Sequence, residues 1–298
     1  MTHRCFAVVV TLVAAVLSLP ARTQAQKHEL VNAKDGSGVF GYKDTPLQPW
    51  SGFHVHDPDR PAPPVVTPGP LTAAEQAAAP SDALVLFDGR DLEQWAPNQW
   101  KVEDGCLVAT AGPMRTKEEF GDCQLHLEWL VPTEQAESVW NRGNNGVFLL
   151  GEIEVQIFDS SSVKIYPDGQ AAAVYAQTPP LVNACRPPGE WQTYDIVFTA
   201  PKFDEAGKLA APARLTMFHN GVLVHLNQEI YGTTPHSGLA TYDGIPAKGT
   251  ARPLGRKVER LLDAHCRIAE SLPAGDDIGF ICTLFVQHTL PHREAGKS

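Results

Sequence analysis

The sequence predicts an all-β protein, a sandwich of two antiparallel sheets, on three observations. From Leu84 onward, short runs rich in β-branched and aromatic residues recur between turn signals at the spacing of successive strands. Asn220-Gly221 is the residue pair that a two-residue type I′ hairpin prefers, and Asp88-Gly89 and Asp104-Gly105 carry the same kind of turn chemistry. Few stretches show the 3.6-residue period of an amphipathic helix, so the apolar faces must be buried sheet against sheet.

Taken in order, residues 83–87 form the first strand of the sandwich and end at Asp88-Gly89. Residues 100–102 and 106–110 pair across Glu103-Asp104-Gly105, and 123–130 follow as a longer alternating strand. Next come the apolar run 146–150, the acidic stretch 151–159, and residues 194–198. Residues 214–219 turn at Asn220-Gly221 into 222–226. The stretch 151–159 alternates at a period of two, which as a strand places Glu152, Glu154 and Gln156 on one face and Ile153, Val155 and Ile157 on the other. Carboxylates two residues apart on a strand lie roughly 6.5 to 7 Å apart at Cα, close enough to separate their pKa values and divide acid and base roles. A half-exposed strand with a solvated acidic side is the bland alternative.

The flanks differ in texture. Residues 1–25 carry a basic start at His3-Arg4, an apolar run over 6–19, Pro20 and a small-residue exit at Thr23-Gln24-Ala25, the pattern of a secretory signal peptide. The expectation is export, to the periplasm or the extracellular space. No later stretch approaches the ~18 apolar residues of a membrane span, so no integral membrane segment is expected after cleavage. Residues 26–80 are rich in Pro, Gly and Ala and read as a linker or a loosely packed wrap. Within them His54 and His56 alternate, yet no third metal ligand follows at a fixed spacing. The sandwich proper then occupies 81–249, and 250–298 form a divergent tail.

Beyond Cys5, the cysteines Cys106, Cys123, Cys185, Cys266 and Cys282 are odd in number and lack C-x-x-C spacing, which disfavours a disulfide scaffold or a zinc ribbon. A pair such as Cys106 with Cys123 is conceivable but nothing in the sequence supports it, and the simpler reading is small buried apolar groups. A formal net charge of -10 and the absence of any Lys/Arg cluster disfavour nucleic acid as a partner and favour a neutral or weakly polar ligand.

Several fragments together resemble the family known as domain of unknown function 1080, the 3-keto-disaccharide hydrolases. They are Leu86-Phe87-Asp88-Gly89-Arg90-Asp91-Leu92 with Trp95, Trp100-Lys101-Val102-Glu103-Asp104-Gly105, Phe120-Gly121-Asp122 with Leu127-Glu128-Trp129, and Gly143-Asn144-Asn145-Gly146-Val147. Glu154-Val155-Gln156-Ile157 with Asp159, Ala172-Ala173-Val174-Tyr175, Pro187-Pro188-Gly189-Glu190-Trp191 and His219-Asn220-Gly221-Val222 complete the set. Their shared order, across 84 to about 245, makes the match specific. The resemblance implies a concanavalin-A-like jelly roll whose sheet binds sugar, and a glycoside substrate already oxidised to a ketone at C3. Such a ketone acidifies the C2 hydrogen, so a base removes it, the C1 substituent departs, and water adds to the enone.

That chemistry needs a base, an acid and a donor for the enediolate. Glu154 is the first choice by its place in the motif, with Glu152 and Asp159 as the other acidic candidates. Gln156, Arg142, Asn145 and Tyr175 can donate hydrogen bonds to a sugar, and Trp140 can stack on a pyranose face. No cofactor is required; a divalent cation on Glu152 and Glu154, with His126 or His219 as a further ligand, is the alternative. A noncatalytic carbohydrate-binding module is the competing function, since the same sandwich serves lectins.

After Lys248-Gly249 the resemblance stops. The family's closing Leu-Gln-Asp-His-Gly and Arg-Asn-Ile segments do not occur, so a strand buried within the sheet is expected to be missing. Residues 256–268 carry helical spacing through Val258, Leu261, Leu262 and His265, which allows a short replacement helix. A reading-frame change near codon 250 would also produce so abrupt a loss, and the other two frames of the genomic DNA would then encode an Asp-His-Gly segment.

Overall fold

The computed structural model describes residues 28–70, 79–109, 112–134 and 136–245, together with the backbone of two strands at 262–265 and 280–288. The signal-peptide expectation falls on residues outside these. A short hairpin, β1 (Leu30–Asn32) with β2 (Phe40–Tyr42), opens the described chain. The strands β3 (Leu84–Phe87), β4 (Lys101–Glu103), β5 (Cys106–Val108), β6 (Pro113–Arg115) and β7 (Cys123–Leu130) follow. Then come β8 (Asn145–Leu149), β9 (Ile153–Ile157), β10 (Gln192–Thr199), a small pair β11 (Lys202–Phe203) and β12 (Leu209–Ala211), β13 (Arg214–His219) and β14 (Val222–Glu229). Last are β15 (Leu262–His265) and β16 (Phe280–His288).

These strands form the two-sheet antiparallel sandwich that the sequence predicts. The larger sheet runs β14-β13-β10-β7-β16-β5-β4, with β3 also paired to β16; the smaller runs β6-β15-β8-β9. The turn chemistry explains the hairpins. Asp104 and Gly105 take φ of 51° and 76° between β4 and β5, and Asn220 and Gly221 take 52° and 75° between β13 and β14, as a type I′ turn requires. Between the sheets lies one apolar core, in which Leu125, Leu127, Trp129, Tyr194, Ile196 and Phe198 of the larger sheet meet Val147, Leu149, Ile153, Val155 and Ile157 of the smaller. Each of these side chains contributes about 1.5–3 kcal/mol by leaving water.

Two sequence expectations change here. The tail does not leave the sheets short of strands: β16 sits between β7 and β5 in the larger sheet, and β15 sits between β6 and β8 in the smaller. Residues 262–265, where helical spacing points to a helix, are extended, because pairing on both sides satisfies their backbone better than an isolated turn of helix. Cys106, Cys123 and Cys185 are free thiols. Burial pushes the Cys123 and Cys185 thiols up to about 12, so they behave as small apolar groups.

Residues 28–70 are a wrap with defined contacts. Phe40 bridges to Ile165, Val65 bridges to Asn183, and Trp50 stacks on Tyr231 with ring centroids 4.3 Å apart. Arg60 donates to the Gln177 carbonyl at 2.9 Å, and Gln48 donates to the Ala176 carbonyl at 2.7 Å. A second apolar cluster forms where this wrap meets the body: Val55, Phe158, Val163, Ile165, Tyr166, Tyr175 and Ala176, flanked by Phe40, Tyr42, Val139 and Trp140.

Candidate active site

The alternation in β9 holds from Ile153 onward. Ile153, Val155 and Ile157 enter the main core, so the pleat turns Glu154 and Gln156 to the outer face of the smaller sheet. Glu152 does not join them. It lies in the β8–β9 turn, after Leu150 and Gly151 at φ of 55° and 72°, and its carbonyl accepts hydrogen bonds from the Thr234 amide and hydroxyl. Residues 172–175 extend the sheet beyond β9: Val174 bridges to Val155, and the Tyr175 amide donates to the Glu154 carbonyl at 3.0 Å. With Val155 and Val174 both turned into the core, Glu154 and Tyr175 share the outer face as cross-strand neighbours.

Glu154 is buried although it faces away from the main core. Its carboxylate lies over Gly146, where a Cβ would stand 2.4 Å from Oε1. Its amide donates to the Thr234 hydroxyl at 2.9 Å. Tyr175 shares a 2.7 Å hydrogen bond with Nδ1 of His236, and their rings are nearly parallel at 6.3 Å. His236 is exposed, so it links the Tyr175 phenol to solvent.

Behind Tyr175 lies a group that the sequence reading did not assemble. His56 stacks on Tyr166 at 3.9 Å and stands 4.9 Å from Tyr175 and 5.2 Å from His236, ring centre to ring centre. Its Nδ1 is 3.2 Å from Asp168 Oδ1, and its amide donates to Asp168 Oδ2 at 3.0 Å. Asp168 belongs to the turn Tyr166-Pro167-Asp168-Gly169, where proline presets the backbone and Gly169 leaves room for the Tyr166 ring, 2.0 Å from where a Cβ would be. Burial pushes the Asp168 carboxyl up, but electrostatic attraction to His56, the hydrogen bonds from His56 and the Arg60 guanidinium outweigh that and hold it below the usual carboxylate range. Burial, with Tyr175 nearby, drives the Tyr166 phenol far above its ordinary value, which keeps it protonated.

Trp140 extends the aromatic group outward. It meets Phe40 edge to face at 5.4 Å and Tyr166 at 6.3 Å, and it lines a pocket of about 320 Å³ with Leu30, Val31, Asn32, Phe40 and Val139. Gln156 is buried on the Glu154 face, its Oε1 accepting from the Ile157 amide.

Three further candidates are engaged locally. The Asp159 carboxylate accepts from the amides and hydroxyls of Ser161 and Ser162. Arg142 donates from Nε to the Ala136 carbonyl at 3.2 Å, and Asn145 accepts from the Gly146 amide at 2.9 Å. The structure therefore places Glu154, Gln156 and Tyr175 on one face with Trp140 joined to them through Tyr166, and sets Glu152, Asp159 and Arg142 in loops and turns and Asn145 at the start of β8.

The cation arrangement that joins Glu154 to His126 or His219 does not occur. His126 lies on the outer face of the larger sheet against Asp195, and His219 lies inside the sandwich, 3.1 Å from Gln192 Oε1. His54 and His56 diverge as well, because φ of 60° at His56 breaks the strand alternation. Among the described residues, no three or more His, Cys, Asp or Glu side chains converge as a metal-binding group.

The fold and site define an antiparallel β-sandwich protein with a buried carboxylate, an aromatic group and a histidine–aspartate pair gathered at one outer face. The family model described as the 3-keto-alpha-glucoside-1,2-lyase-like domain matches residues 82–250, more than half of the chain. The chain belongs to this family. No curated protein matches it. Among solved structures, it is similar to a "putative glycosyl hydrolase" of Parabacteroides distasonis, with 34% identity and a TM-score of 0.63 over 77% of this chain and 93% of that one. A second protein of the same description and organism shares 17% identity with a TM-score of 0.46, over 70% of this chain and 99% of its own.

Proposed function

We propose that the protein is an exported enzyme that cleaves 3-keto-glycosides by removing the C2 proton, expelling the C1 substituent and adding water. The observation that carries this reading is the buried Glu154 on the same sheet face as the Tyr175–His236 pair, within a domain of the keto-glucoside lyase-like family. A carboxylate shielded from water is a stronger base towards a carbon acid than a solvated one, and the C3 ketone supplies the acidity. Glu154 takes the C2 proton, and Tyr175 gives its proton to the departing oxygen and recovers it through exposed His236. Gln156 supports the sugar hydroxyls. Trp140 packs against the part of the substrate that extends toward the 320 Å³ pocket. No step in this scheme needs a cofactor.

The test is turnover of 3-keto-glycosides and of the parent glycosides by the mature chain and its Glu154→Gln variant, with and without chelator. Expected are cleavage of the keto forms alone and a loss of about 10²–10⁴-fold in the variant, the range of a lost general base. Equal cleavage of unoxidised glycosides would assign a conventional hydrolase. Sugar binding without turnover in the unsubstituted protein would assign a binding module.

A further inference from the structure

His56 has no part in the reaction as written above, yet it is buried beside Tyr175 and held at two points by Asp168. It comes from the segment preceding the family's residues 82–250, is wholly buried, and has φ of 60°, uncommon for a residue with a Cβ. Asp168 holds the His56 amide through one oxygen and Nδ1 through the other. As a carboxylate, Asp168 can only accept. The proton of the neutral imidazole therefore lies on Nδ1, and Nε2 carries the lone pair.

That Nε2 is buried and has no hydrogen-bond partner among the described residues. An acceptor left so is unfavourable unless something outside the protein uses it. The ring stands 4.9 Å from Tyr175, the residue whose amide pairs with the Glu154 carbonyl, so His56 and Glu154 both adjoin one tyrosine.

Building on the keto-glycoside reading, we infer that His56 is the base of the second half of the reaction, the addition of water, with Asp168 as its positioning residue. In the first half Glu154 takes the C2 proton, the C1–O bond breaks, and the departing oxygen takes the Tyr175 proton, which leaves an enone. In the second half water bonds to C1 while His56 Nε2 takes its proton, and the proton held on Glu154 returns to C2. The proton on His56 then leaves by way of exposed His236, 5.2 Å away ring centre to ring centre, through which Tyr175 also regains one. One water is consumed across the glycosidic bond. Without His56 the reaction stops at the enone; with it the enzyme is a hydrolase.

The test is His56→Asn, which keeps a donor for Asp168 at the position of Nδ1 and tolerates the left-handed backbone. With a 4-nitrophenyl 3-keto-glucoside, the unsubstituted protein should release nitrophenol and free keto-sugar together. The variant should release nitrophenol within about fivefold of that rate, form the keto-sugar at least about 100-fold more slowly, and accumulate the enone, one water lighter by mass. Asp168→Asn should give the same product split and move the pH dependence of keto-sugar formation while leaving that of nitrophenol release in place.

An unchanged product split in His56→Asn, a parallel fall of both products, or enone as the sole product of the unsubstituted protein would each overturn the inference. If the unsubstituted protein cleaves no keto-glycoside, the reading of the reaction fails. The ¹⁵N resonance of the His56 imidazole on addition of methyl 3-keto-glucoside then decides: a shift supports a substrate-facing base, and an unmoved signal overturns it.

Discussion

At the scale of single residues, the site depends on the missing side chain of Gly146. A Cβ there would stand 2.4 Å from Oε1 and 2.7 Å from Cγ of Glu154, so Gly146→Ala must push the carboxylate aside. Displacement of a reacting group by about 1 Å costs on the order of 10²-fold in rate, whereas the stability cost of one added methyl next to a movable side chain is about 1–3 kcal/mol. The expected result is a kcat lowered by about two orders of magnitude in a folded protein. Gly121→Ala is the control, since no atom lies within 4 Å of its Cβ position. Equal activities of the two variants would remove Glu154 from the reaction. The residues of this site differ in how far sequence reveals them. Glu154 and Gln156 were legible because strand alternation is local. The pairing of Asp168 with His56 was not, because 112 residues separate them, and the alternation of His54 with His56 points to a metal pair rather than to a carboxylate partner. For Asp168 the signal is Pro-Asp-Gly after a tyrosine, which places a carboxylate at the rim of a turn and says nothing of its partner.

At the scale of elements, the wrap of residues 28–70 decides whether His56 reaches the body. Its Pro/Gly composition resembles a linker, because composition reports the lack of repeating structure and not the lack of packing. Side chains of Val55, His56 and Asp57 are nonetheless buried. Gly41 in β2 is the closest approach: a Cβ there would stand 2.1 Å from the His56 carbonyl oxygen and 3.1 Å from Pro58 Cδ. Backbone cannot yield as a side chain tip can, so Gly41→Ala should break the bond from the Tyr42 amide to the His56 carbonyl and undock this corner. Hydrogen exchange checks it. Amides of residues 40–60 should lose protection by at least about tenfold, that is about 1.4 kcal/mol, while β7, β10 and β13 keep theirs. Loss of protection throughout would show that the wrap and the sandwich unfold as one unit. The tail teaches the opposite lesson about elements. Its strands were hidden because both are held by pairing with partners far away in sequence, and β15 crosses a stretch whose apolar spacing suits a helix.

At the scale of the whole molecule, the turns and alternating runs made the sandwich readable, while its histidines set how it responds to pH. His219 and His225 lie inside the sandwich, and burial lowers their pKa values to about 3 and about 4; Arg186 adds to the first shift, and the Ala172 carbonyl partly offsets the second. Both are near 6.5 in an unfolded chain, so their contribution is complete above that pH and is lost as pH falls toward their folded values. Between pH 6.5 and 4.5 the unfolded state binds more protons, and stability should fall by up to about 1.4 kcal/mol per pH unit for each histidine. His126 acts in the other direction. Burial alone would lower it, but Asp195 and Glu128 outweigh that and raise it to about 9, so its contribution is complete below pH 6.5 and fades as pH rises to about 9. Because Asp195 is half exposed, the alkaline slope is the shallower one. Urea unfolding across pH 4.5 to 9 should therefore show greatest stability near neutrality with a steeper acid side. His225→Gln can keep the hydrogen bond to the Ala172 carbonyl while carrying no titratable group, so it should flatten the acid slope by about one proton. An unchanged slope in that variant would mean that the buried imidazole does not resist protonation, and that water reaches the interior between the sheets.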